Sequence, residues 1–109
     1  MNDLVTVEIE IEAAKNMIKT RDALVLLQKN KYFKEVIEQG YFEYEMRRLV
    51  MLKGVDLEPD IERSIDKMIA GIGALNHYFD EINRRGDQMD RELGSIEKTR
   101  EELLAEEIA

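Results

Sequence analysis

The chain has 109 residues, 37% of them charged and 6% aromatic, with a net charge of −8 at pH 7, a single Pro, no Cys and no Trp. No disulfide framework and no thiolate-held zinc can be built from this composition, and the acidic balance argues against generic nucleic-acid binding. The length sets one small domain or a helical hairpin with extensions as the prior, and many charges with few aromatics suit exposed helices better than a compact globule.

The charge is unevenly placed: residues 1–12 carry −4, residues 13–53 carry +4, residues 54–86 carry −3 and residues 87–109 carry −5. A basic middle between acidic ends suggests attraction between the two halves, within one chain or between copies; solvated helix faces are the simpler reading. The acidic first twelve residues do not resemble a signal peptide. The longest apolar run, Met68 to Leu75, is far short of the ~20 residues needed to span a bilayer. The expectation is a soluble protein that works inside a cell, or in something assembled there, with no membrane partner.

From Asp3 to Gln28 the pattern reads two ways. Val5, Val7, Ile9 and Ile11 alternate with polar residues, as in a strand. Leu4, Val7, Ile11, Ala14, Ile18 and Val25 follow 3,4 spacing, as in a helix, with Arg21 interrupting the stripe at its expected place. The absence of Gly and Pro and the helix formers from Glu12 onward favour one helix, with Asp3 as a cap. A break follows at Lys29-Asn30-Lys31. Asn30 is a natural N-cap for a helix over 31–39 that carries Phe33, Val36 and Ile37 on one face. Gly40 suits the left-handed stop after it. Residues 41–53 then form another helix with Phe42, Met46, Leu49 and Val50 on one face, closed by Gly54.

After a short linker, Asp56 is placed to cap a long helix with Pro59 in its first turn. Along this helix Ile61, Met68, Leu75, Ile82, Met89, Ile96 and Leu103 recur every seventh residue. A second row follows four residues behind each: Ile65, Ile72, Phe79, Gly86, Leu93, Arg100 and Glu107. The second row occupies a and the first d of a coiled-coil heptad. Straight, such a helix is on the order of 70 Å long. Gly86 is the expected kink, the seam weakens beyond it, and the last twenty residues are expected to be helical only when docked. Gly71 and Gly73, with Ala70 and Ala74, would let another helix approach closely.

The fold class is therefore all-α: a helical hairpin or small bundle with a long C-terminal coiled-coil helix. Its regions are 1–54, a long helix plus two short ones, and 55–109, the coiled-coil helix. The interface residues are Ile61, Ile65, Met68, Ile72, Leu75, Phe79, Ile82, Met89, Leu93, Ile96 and Leu103. An intramolecular core and an oligomer or larger partner both fit such a seam. The first helix is shorter than the last, which leaves the seam past Gly86 without evident cover and argues for a partner.

Reaction chemistry is not legible. His77, the single histidine, has Asp80 and Glu81 on its face, but no second His or Cys exists to complete a metal site. Gly71 and Gly73 begin a dinucleotide fingerprint, but Asn76 stands where its third glycine belongs. No Ser has a histidine placed to activate it. Arg47 and Arg48 lie among Tyr41, Phe42 and Tyr44, a pattern that can meet nucleic acid, although pairing with the chain's own carboxylates is the simpler reading. Glu101, Glu102, Glu106 and Glu107 form an acidic tail that solvates or mimics a phosphate row. No enzyme, cofactor, metal or small-molecule substrate is expected.

The stretch Ala23-Leu24-Val25-Leu26-Leu27-Gln28-Lys29-Asn30-Lys31-Tyr32-Phe33-Lys34-Glu35-Val36-Ile37-Glu38-Gln39-Gly40-Tyr41-Phe42, followed by Glu45 and Arg48-Leu49-Val50, resembles a group of small proteins of tailed bacteriophages encoded among virion-structure and morphogenesis genes. The likeness covers residues 23–50. It implies a small helical protein made during phage assembly: a minor virion component, a connector-associated part or an assembly chaperone, located in the host cytoplasm or the virion. Its partners would be further copies of itself or a larger virion protein. The alternative is a small acidic phage-encoded inhibitor that binds a host enzyme. The resemblance implies no catalytic residues.

Overall fold

The computed structural model describes residues 3–108, and all regular structure among them is helical. In order these are α1 (Asp3–Lys29), α2 (Lys31–Phe33), a π-helical segment (Lys34–Glu45), α3 (Met46–Leu52) and α4 (Pro59–Ile108). The chain is all-α with a long C-terminal helix, as its periodicity predicts.

The strand-like alternation at the start of the chain gives way to the 3,4 spacing. Val7, Ile11 and Ala14 are buried, whereas Val5 and Ile9, which alternation would place with them, are exposed. Asp3 stands inside the first turn of α1 and does not precede it. Asn30 does cap the next helix: its side chain accepts from the backbone N–H of Tyr32 at 2.9 Å and of Phe33 at 3.1 Å, an arrangement worth about 1 kcal/mol.

Gly40 departs from expectation. No glycine among the described residues has a positive φ, and Gly40 lies within the π-helical segment. Residues 31–52 form one continuous helical run of α, π and α geometry. The reason lies in the phase of the aromatic residues. Phe42 follows Phe33 by nine positions (42 minus 33), two and a half turns of α-helix, which points the two in opposite directions. With the wider i→i+5 turn, roughly 4.4 residues, nine positions make about two turns and both face the same way. Both rings reach Phe79, with centroids 5.7 Å and 6.0 Å away.

The backbone N–H groups of Lys53 and Gly54 bond to the carbonyls of Val50 and Met51, each at 3.1 Å, so the run ends in a tightened turn. Helix α4 begins at Pro59, later than a cap at Asp56 would place it, and the Glu58 carbonyl accepts its first bond, from Glu62 N–H at 3.0 Å. Proline is tolerated at position 59 because an N–H at the first position of a helix would have no intrahelical partner to lose. The helix runs unbroken through Gly86 to Ile108, so the tail is helical as well.

The chain forms two compact units, one of residues 1–24 and 81–109, the other of residues 25–80. In the first, α1 and the C-terminal part of α4 run antiparallel. Arg21 meets Gly86, Glu8 reaches Arg100, and Leu4 and Leu103 line one groove. Arg21 to Leu4 and Gly86 to Leu103 are equal intervals, so the pairing keeps one register throughout. In that register Ala14, 0% exposed, falls opposite Leu93. The expectation that the seam past Gly86 lacks cover within the chain is corrected here: residues 4–21 of α1 lie along it.

In the second unit Leu49, Ile65 and Ile72 form a buried cluster, flanked by Tyr41, Phe42, Met46, Leu57 and Ile69. Lys53 donates to Asp66 and ties the end of the helical run of residues 31–52 to α4. That bond raises the Lys53 pKa above its usual value.

Candidate interaction surface

The heptad places the a and d rows of α4 differently in the two units. In the unit of residues 25–80, the a residues Ile65 and Ile72 are buried against Leu49. Phe79 is half-buried among aromatic rings. Of the d residues, Leu75 is half-buried, but Ile61 and Met68 each remain 50% exposed. In the other unit Ile82, Met89, Leu93, Ile96 and Leu103 are all half-buried. Gly86 is buried, and Arg100, at an a position, extends towards Glu8 at 3.9 Å.

Ile61 and Met68 edge an open groove. One part, of about 480 Å³, lies between the π-helical segment and α4 and is lined by Val36, Ile37, Gly40, Tyr41, Glu45 and neighbours. A second part, of about 370 Å³, continues past Arg48, Leu52, Asp60 and Ser64. Leu49 and Met68 line both parts, so the two join along one side of α4. The residues on the far wall were not singled out by the heptad. Their signal was the Phe33, Val36 and Ile37 face, whose continuation past Gly40 requires the π geometry.

The groove is apolar at its floor and carries both signs of charge at its rim. Arg48 binds Glu45 through two hydrogen bonds. This holds the Glu45 carboxyl below, and the Arg48 guanidinium above, its ordinary pKa. Asp60 pairs with Arg63 one turn along α4. Lys67 is exposed one heptad beyond Asp60. Glu45 and Arg48, each held in its charged form, offer docking chemistry at the rim.

The remaining sequence candidates lie elsewhere. His77 is exposed. Arg47 stacks on the exposed ring of Tyr44 at 5.9 Å, and Arg84 and Arg85 both pair with Glu81. Gly73 faces open space, and a Cβ on Gly71 would meet only the Tyr41 hydroxyl at 3.8 Å, so among the described residues no helix approaches closely over these two glycines. Glu101, Glu102, Glu106 and Glu107 are exposed on the last turns of α4. Among the described residues no helix is long and apolar enough to cross a membrane. Comparison of the chain with protein-family models, with curated proteins and with solved structures finds no match.

Proposed function

We propose that this chain is a non-enzymatic structural or assembly protein of a tailed phage, which acts by packing the open part of its helical seam against further copies or a larger virion protein. One observation carries the reading. Ile61 and Met68 stand in the d row of the seam whose a residues Ile65 and Ile72 are buried, yet each is 50% exposed beside an apolar groove. Leaving apolar surface in water forgoes about 25 cal/mol per Å², and an apolar row that continues a packed seam is the kind of surface that docking covers. The phage assignment rests on the resemblance of residues 23–50.

The test is recovery with particles. Phage particles and their precursors are separated on a density gradient from a host carrying the gene, and the chain is followed by immunoblot. Cofractionation, or a fall in particle yield with Leu75→Asp but not with His77→Ala, is the expected result. Normal particle yield without the chain, and no cofractionation, overturns the proposal.

The exposed carboxylates of the tail favour the inhibitor reading instead. Binding to a host enzyme by acidic mimicry would weaken steeply as salt rises, whereas seam packing would barely respond.

A further inference from the structure

We infer that the occupant of the open groove is a second copy of this chain, related by a two-fold axis near Ser64 that sets the two α4 helices antiparallel. The inference rests on the assembly reading above and names the partner of the same surface. A two-fold contact must be self-complementary, because one patch meets itself. The groove side of α4 has that property about Ser64. Moving towards the N-terminus from Ser64, the chain presents Ile61 and then Asp60; moving towards the C-terminus, it presents Lys67 and then Met68. An antiparallel copy centred there sets each Ile61 beside the partner's Met68 and each Asp60 beside the partner's Lys67.

Three observations support a copy over a strongly charged partner. The two apolar residues brought together are the half-exposed d residues of the seam. The residue at the centre, Ser64, is small, lines the groove and is exposed, so two helices can approach there. Both signs are present around it: Glu45 and Arg48 line one wall and Asp60 the other, and Lys67 is exposed on α4 next to Met68. A surface of balanced sign does not select an acidic or a basic ligand, but it suits its own mirror order of charges.

The experiment exploits the absence of cysteine from the chain. Ser64→Cys is placed to meet its own mate, so mild oxidation should give a covalent dimer on a non-reducing gel, while Ala13→Cys, exposed on α1, should not. Light scattering of the unmodified protein should give the mass of two chains of 12.8 kDa. Met68→Glu should weaken dimerisation by about 30-fold or more, the scale of an interface hot spot, with unchanged helical circular dichroism. Lys67→Asp should weaken it by a few-fold, and adding Asp60→Lys should restore it. If Met68→Glu fails to fold, the cysteine and charge-exchange results decide. A single-chain mass at all concentrations overturns the inference and leaves docking on a larger virion protein to the particle test. A multimer that survives Met68→Glu and does not crosslink through Ser64→Cys also overturns it, because copies then meet through another face.

Discussion

Arg21 of α1 passes directly over Gly86 of α4: a Cβ on Gly86 would stand 2.3 Å from the Arg21 Cβ and 2.8 Å from its Cγ. Each residue interrupts an apolar stripe, and the interruptions coincide. The long side chain occupies the volume the glycine leaves free. Its guanidinium then bonds Asp22 at 2.8 Å, and Asp87 and Asp90 at 2.9 Å each. These bonds, that to Asp22 foremost, raise the Arg21 pKa above its ordinary value and keep it charged.

A methyl group at Gly86 should therefore destabilise the protein although alanine is the better helix former. Gly86→Ala is expected to cost about 1–3 kcal/mol by overpacking. Gly94→Ala in the same helix, where a Cβ meets nothing within 4 Å, is expected to gain about 1 kcal/mol. Urea unfolding of both variants checks the opposite signs, and Arg21→Gly, which removes the Cβ and Cγ that stand in the way, should largely relieve the Gly86→Ala penalty.

The two phenylalanines that meet Phe79 should be energetically coupled through it. Phe79→Ala is expected to cost about 2–4 kcal/mol. In that background, Phe33→Ala and Phe42→Ala should each cost less than in the wild type, because the ring contacts, worth about 0.5–1.5 kcal/mol each, are already gone. Additive costs in denaturant titrations would show that the π-helical phase does not serve this cluster.

Leu49 is 1% exposed at the centre of its cluster. Leu49→Ala is expected to lower unfolding free energy by about 2–5 kcal/mol, and His77→Ala, at an exposed position, to change it by less than about 0.5 kcal/mol. Thermal unfolding of the two variants side by side measures the contrast.

Two ion pairs predict opposite pH dependences. The folded-state pKa of Glu45 is depressed, by its hydrogen bond from Arg48 and then by the charge of Arg48. Its contribution is present above the unfolded carboxylate pKa and is lost as pH falls through the lower folded value. The folded-state pKa of Lys53 is raised, by its bond to Asp66 and then by that charge. Its contribution is complete below the unfolded lysine pKa and is lost as pH rises through the higher folded value. Glu45→Gln should flatten the acid limb of a stability profile and Lys53→Met the alkaline limb, each leaving the other limb unchanged.

The heptad rows of α4 and the 3,4 stripe of α1 were legible because a buried helix face repeats at a fixed angle. Asn30 was legible because its side chain satisfies free N–H groups in a way apolar residues cannot. The π-helical segment was not. A phase jump between Phe33 and Phe42 looks the same in sequence whether a turn breaks the helix at Gly40 or a wider helix absorbs it. The cover on the far seam was hidden for a related reason. Arg21 and Gly86 each looked like a flaw when read alone, and only their shared level turns them into a fit. Of the groove, the α4 edge at Ile61 and Met68 could be read, while the opposite wall depended on the phase of the π turns.

One unit is a single stretch of chain, residues 25–80, and the other joins two stretches from either side of it. Contacts between near neighbours form at little entropic cost, while bringing distant segments together requires a loop to close. The middle of the polypeptide thus has the means to organise early, and the zipper of Arg21 on Gly86 and Leu4 beside Leu103 must await synthesis of the final helix. A ribosome-bound chain would complete its first unit while half of the second was still unmade.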